Sequence, residues 1–302
     1  MKLAMLQRSA DMPGEPAVLV SPATLVWFRD VMGEDAPTSL DTLIQSGDSA
    51  AWLSELKRRL GQGRVPISAV GDRMWDAPIT FRRNVFCLGR NYRGHAQEAV
   101  RSGVAASVNE EYPIFFTKAT TTRNRPGGEV VAPPNTQALD YEAELAVIIG
   151  QGGSGIRADR AREHIFGYTL INDLTARDLQ QRHQQWFLGK SLDGFGPIGP
   201  LIVTADEVSW PVELTIALTV NGEERQRMNT RDMIFDIPRT ITELSRSLTL
   251  LPGDVIATGT GDGVGRSFRP PRYLVPGDRI EISCHPIGSL VTVIVPPFPE
   301  PP

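Results

Sequence analysis

Three acidic side chains pose the question of chemistry in this sequence. Glu142 and Glu144 stand two apart in the apolar run "ALDYEAELAVIIG" (138–150), and side chains two apart on a β-strand point to one face. Their carboxylates are then neighbours, and neighbouring anions in an apolar setting repel and resist burial. Asp173 closes a second apolar run in "GYTLINDLTARDLQ", just before a predicted helix. Sites are commonly built where a rigid strand meets an exposed loop. Three carboxylates meeting would form an all-oxygen site, which suits Mg²⁺, Mn²⁺ or Ca²⁺ rather than Zn²⁺. The same residues also fit two glutamates on the wet face of an edge strand and an aspartate favoured by a helix N-terminus. The pattern alone leaves both readings open.

Those carboxylates need strands to aim them, and the chain is rich in candidates. Its 302 residues are 41% hydrophobic and 22% charged, with a net charge of −4. That is an ordinary globular balance, and it does not point to nucleic acid as a partner. Residues 1–76 read as a small N-terminal α/β domain. In it, "MKLAMLQ" and "PAVLVSPATLVWF" predict short strands, and 39–61 predicts a helix capped by Ser39 and stopped by Gly61 and Gly63. Positions 71–80 read as a linker. From Phe81 to 302, short β-branched runs alternate with Gly/Pro turns, which predicts a β-rich α+β domain, a barrel, roll or sandwich. Helices are expected near 92–101, 175–185 (capped by Thr175) and 237–247, and Asn221–Gly222 predicts a hairpin turn. The Pro-rich end "VPPFPEPP" predicts loose order. Cys87 and Cys284 lie far apart and read as reduced thiols. No stretch approaches the ~20 apolar residues of a membrane span, and none reads as a signal peptide, so a cytoplasmic protein is expected.

From Phe81 onward the chain resembles the fumarylacetoacetate hydrolase family. The resemblance rests on "LGRNYRGHAQE", "FFTKATT", "DYEAELAVIIG", "NDLTARDLQ", "GKSLDGFGPIGPLIVT", "VNGEERQRMNTRDMIFDIP" and "LTLLPGDVIATGTGDGVG", which occur in the family's order. It implies a mixed β-sandwich roll around a metal site, with Glu142, Glu144 and Asp173 at the ligand positions and Mg²⁺ or Mn²⁺ (Ca²⁺ as a third option) as the ion. It further implies a homodimer and a small 2-oxo or 2,4-diketo acid as substrate. The leading expectation is hydrolysis of a C–C bond in an acylpyruvate- or fumarylpyruvate-type acid in aromatic-compound breakdown. The alternative on the same site is hydroxymuconate-type isomerisation or oxaloacetate decarboxylation. Ureidoglycolate cleavage and a non-enzymatic binding role stand further back.

The resemblance also suggests roles for single residues. His95 and Glu98, at i and i+3, meet on one helix face. A carboxylate beside an imidazole raises its basicity, so His95 could activate water with Glu98 orienting it. Lys190 is expected to steady a developing oxyanion. Arg90, Tyr92, Lys118, Gln180 and Thr260 are expected to contact substrate. The loop "RSGVAASVNEEYP" (101–113) reads as a mobile lid. Departures from the family pattern are "KATT" after the apolar strand and "TGTGDGVG", which brings Asp262 to the pocket rim. Arg123 and Arg125 are expected to reach a distal carboxylate.

Overall fold

The run Ala143–Ile149 is buried along its whole length, the mark of a strand covered on both faces. The computed structural model describes residues 1–9, 12–63, 65–103 and 106–297. The Pro-rich end from 298 and positions 104–105 of the expected lid lie outside the described residues. Ala143–Ile149 sits between Ile165–Asn172 and Val255–Ala257 inside a twelve-stranded mixed sheet. Its odd positions, Leu145, Val147 and Ile149, enter one core with Ile216, Leu218, Ile280 and Ile282 of a second, five-stranded sheet. Helix Ile237–Ser247 adds Ile241 and Leu244 to that core. Even positions Ala146 and Ile148 enter another core with Phe28, Leu40, Leu43 and Leu56. This is the expected β-rich α+β sandwich.

The N-terminal residues supply strands and helices to that architecture. Strand Lys2–Gln7 pairs antiparallel with Gly196–Thr204, Leu3 opposite Ile202. The first strands thus continue the large sheet, and the helices after them cover one of its faces. The single helix expected over 39–61 is two, Leu40–Gln45 and Ser49–Gly61, because Gly47 between them adopts φ +78°. Ser39 caps the first of these, accepting from the Thr42 N–H at 3.0 Å. A short helix, Phe28–Met32, ends the run read as strand. Arg93–Arg101, Arg177–Arg182 and Ile237–Ser247 form helices near the expected places. Thr175 lies in the short strand Thr175–Ala176 and donates to the Asp173 carbonyl at 2.9 Å instead of capping a helix. Asn221 and Gly222 both have positive φ, 53° and 81°, as a two-residue hairpin turn between Thr215–Val220 and Glu223–Asn229 requires. Among the described residues no helix is long and apolar enough to cross a membrane.

Leu3 is fully buried in the core it shares with Ile202 and Ile148. Leu3→Ala should therefore lower the unfolding free energy by roughly 2–5 kcal/mol. The whole chain should melt earlier in one transition. A separate early transition confined to residues 1–76 would instead mark them as an independent folding unit.

Candidate active site

Strand register assembles the acidic group. Ala143 lies opposite Asn172, so one step further Glu142 faces Asp173, whose N–H donates to the Glu142 carbonyl at 2.9 Å. Facing residues of an antiparallel pair project from one face, and Glu144, two residues on, shares it. Carboxylate oxygens of Glu142, Glu144 and Asp173 lie within 4.8 Å of one another. The side chains are buried, at 5%, 1% and 0% exposure, which removes the wet edge-strand reading.

Cations surround this group unevenly. Lys190 Nζ donates to Glu142 Oε2 at 2.7 Å and to Asp173 Oδ2 at 2.6 Å. Lys118 Nζ donates to Asp173 Oδ1 at 2.6 Å and to the Leu174 and Lys190 carbonyls. Arg177 Nε donates to Asp140 Oδ2 at 2.8 Å, and its Nη2 stands 2.7 Å from Glu142 Oε1, out of hydrogen-bond alignment. Burial alone would raise the Glu142 carboxyl. The Lys190 ammonium and the Arg177 guanidinium reverse this and hold it below the ordinary carboxylate range. Glu144 fares differently: its one hydrogen bond among the described residues comes from the Gly259 N–H, at 2.7 Å. Burial, then the charges of Asp173 and Glu142, push its carboxyl well above the ordinary range. A buried acid without an ammonium of its own, beside two further oxygen donors, is what a hard divalent cation satisfies. The residues fit such an ion.

His95 is presented by helix Arg93–Arg101, whose lead-in is pinned by the buried Asn91. The Asn91 side chain donates to the Phe235 and Thr258 carbonyls at 3.0 and 2.8 Å and accepts from the Phe235 N–H at 2.8 Å. His95 Nδ1 lies 3.5 Å from Glu98 Oε2. Glu98 also accepts from the Gly263 N–H at 3.0 Å and the Ser267 hydroxyl at 2.9 Å. Burial raises the Glu98 carboxyl, but the nearby His95 imidazole and the bonds from Gly263 and Ser267 outweigh it and leave it below its usual value. Only glycine serves at 263, where φ is +90° and a Cβ would overlap the Arg225 carbonyl.

A cavity of about 180 Å³ opens beside these groups; of the acidic triad Glu142 lines it, with Glu144 and Asp173 behind the wall. It brings together the expected Arg90, His95, Gln180, Lys190 and Thr260 with Glu142. Tyr92 and Lys118, expected to touch substrate, do not line it. Tyr92 packs into the core at 2% exposure, and the Lys118 protons are consumed by Asp173 and two carbonyls. Lys118 therefore supports the carboxylates from behind. Arg123 is also elsewhere: Nε donates to the Ile79 carbonyl at 2.9 Å and Nη2 to Asp76 at 3.0 Å, holding the linker. Arg125 does not line the cavity either. Asp262 packs against Gly94 at the start of the histidine helix, where a Cβ would come within 2.6 Å of its Oδ1.

Sequence reading passed over four side chains that matter here. Asp140 takes the Tyr141 and Gly265 N–H groups on Oδ1, at 2.9 and 2.7 Å, and Arg177 Nε and the Arg266 N–H on Oδ2, at 2.8 and 3.1 Å. Gln226 reaches from the second sheet, accepting from the Ala143 N–H at 3.0 Å and donating to the Thr260 hydroxyl at 2.9 Å. Arg177 and Arg266 join the cavity wall. Of these only Asp140 carried a signal, an acid in an otherwise apolar run beside Glu142.

Residues 84–295 match the family model described as fumarylacetoacetate (FAA) hydrolase C-terminal. The oxaloacetate tautomerase YisK of Bacillus subtilis is 43% identical over 267 residues, covering 85% of this chain and 86% of that protein. The solved fumarylacetoacetate hydrolase of Exiguobacterium antarcticum superposes with a TM-score of 0.82 at 37% identity, over 98% of this chain and 100% of its own. A maleylpyruvate hydrolase from Sphingobium sp., solved with manganese(II) and pyruvate, superposes with a TM-score of 0.77 at 27% identity, over 98% and 99%. With its acidic triad, its two-sheet fold and these likenesses, the chain belongs to the fumarylacetoacetate hydrolase family.

Proposed function

We propose that this protein interconverts the enol and keto forms of a short 2-oxo acid, with a divalent metal ion, Mg²⁺ or Mn²⁺, held by Glu142, Glu144 and Asp173. The observation that carries the reading is one small cavity in which His95, Lys190 and Glu142 face a common space. Its volume of about 180 Å³ falls below the roughly 300–1,000 Å³ of sites for drug-sized ligands. A short acid fits such a space better than an extended fumaryl or diene acid. The tautomerase relative in Bacillus supports the same reaction class.

When bound, the ion would polarise the 2-oxo group and favour its enolate form. The chain's residues supply the proton traffic. In the keto-to-enol direction the His95 imidazole takes a proton from the carbon beside the carbonyl. Lys190, held at the mouth of the acidic group, steadies negative charge on the oxygen. The imidazolium then returns a proton to that oxygen, so one proton moves and no water is consumed. Glu98 faces Nδ1 of His95 and stabilises the imidazolium; its own bonds from Gly263 and Ser267 keep it ionised and in place.

Hydrolysis of an acylpyruvate-type acid is the second reading, since the same His95–Glu98 pair can activate water, and the manganese–pyruvate neighbour is a hydrolase. Enolic oxaloacetate in Mg²⁺ buffer separates the two. Accelerated decay of the enol absorbance without release of pyruvate or CO₂ is expected. Cleavage of an acylpyruvate with no effect on the enol would overturn tautomerisation in favour of hydrolysis. His95→Asn should lower tautomerase turnover by about 10²–10⁴-fold while calorimetry finds metal affinity unchanged. Normal turnover in that variant would remove His95 from the chemistry. Glu144→Gln should weaken divalent-metal binding at least about tenfold, with the metal-free protein still folded, because the amide oxygen can keep the Gly259 N–H. Undiminished metal affinity would place the ion elsewhere.

A further inference from the structure

Arg266 stands on the cavity wall with its charge unmatched. Its guanidinium makes no hydrogen bond or ion pair with any described residue. Asp140, the nearest acid by contact, spends both oxygens on the Gly265 and Arg266 N–H groups, Tyr141 N–H and Arg177 Nε. A half-buried guanidinium next to a second cation is costly unless an anion meets it. Burial first, and then the neighbouring Arg177, lower its pKa, by more than Asp140, Tyr273 and Glu142 raise it.

The turn that carries Arg266 is also firmly placed. Asp140 holds its backbone, and at Gly265 a Cβ would lie 2.6 Å from Asp140 Oδ1, so nothing larger fits. One residue on, the Ser267 hydroxyl donates to Glu98 Oε2 at 2.9 Å. A single rigid turn therefore presents a cation to the cavity and positions the carboxylate behind His95.

We infer that Arg266 receives the second carboxylate of the substrate, so that the enzyme selects 2-oxo dicarboxylic acids over 2-oxo monocarboxylic acids. This rests on the reading above that the cavity binds a 2-oxo acid, and it assigns a class to that acid. The acid's first carboxylate and carbonyl lie toward Glu142 and Lys190, and the far carboxylate meets the guanidinium, for which a planar fork of donors is well matched. Arg177 cannot take this role in the same way, because Asp140 and Glu142 already hold it.

Calorimetric titration of the Mg²⁺-loaded protein with 2-oxoglutarate and with 2-oxobutyrate tests the assignment. In Arg266→Gln, the ratio of diacid to monoacid affinity should fall by about 10- to 150-fold, the span of one lost charged hydrogen-bonding partner. Arg266→Lys should restore part of it. Retained monoacid binding certifies that the site is still folded. An unchanged ratio overturns the role of Arg266 and leaves the tautomerase reading standing. A collapsed ratio in a protein that does not accelerate enol decay supports Arg266 and overturns the reaction. Wild-type protein that binds neither acid overturns both.

Discussion

Three carboxylates buried on one sheet face repel one another, and the rest of the site is arranged around that repulsion. Taking an ion out of water costs several kcal/mol even after relaxation. Lys190, Lys118 and Arg177 offset the cost for Glu142 and Asp173. Glu144 is left with a backbone N–H. The group stays together because its strands cannot move apart: each is buried on both faces, between one core that includes the second sheet and another that includes the N-terminal helices. A one-residue slip of the strand Ala143–Ile149 would send Glu142 and Glu144 to the face away from Asp173 and turn Leu145 out of its core. Hydrophobic packing thus enforces an electrostatic arrangement that the polar groups alone would reject.

A second organising element is Asp140. It sits one pair beyond the carboxylate strand, opposite Thr175, and ties Arg177 and the 265–266 turn to the same point. Through Arg177 it touches Glu142; through the turn it touches Glu98 and thereby His95. Acid cluster, His95 helix and cavity wall are therefore tied to one point by hydrogen bonds and close charge contacts. Such networks are worth most when every member is satisfied. The unmatched members here, Glu144 and Arg266, face where a cation and an anion would complete it.

The sequence made the two-residue period of Glu142 and Glu144 plain, and the "ND" step after an apolar run marked Asp173. Local signals also gave the hairpin at Asn221–Gly222, the cap at Ser39 and the three main helices. Contacts across long stretches of chain were a different matter. Gln226 and Gly263 reach the site from the second sheet and from a glycine-rich loop, and no spacing in the chain announces that they meet. Lys118 looked like a substrate contact because it ends an apolar strand; its full burial behind Asp173 follows from the pairing of Val85 with Lys118, which is a tertiary fact. Arg123 and Arg125 stood out by charge, while Arg266, an arginine among many near the C-terminus, did not. Charge content is visible in a sequence, but whether an arginine is already paired is not.

On the proposed reading, space separates the two reactions this constellation could support. Both need an electrophilic carbonyl, which the substrate would bring, and on the proposed reading a base and a cation beside its oxygen, His95 and Lys190, which line the same cavity. Hydrolysis requires in addition a water positioned for attack and room for an acyl group beyond the scissile bond. Enolisation requires neither, since a single imidazole can move one proton between carbon and oxygen. In a small cavity whose wall already holds Arg90, Arg177 and Arg266, the remaining room suits a second carboxylate better than an acyl tail. The Arg266 guanidinium would also attract and order the far negative end of the ligand, which leaves its middle carbon under His95. On the proposed reading, small volume and the unmatched charge of Arg266 select the same thing, a short diacid whose carbon acid lies next to the base.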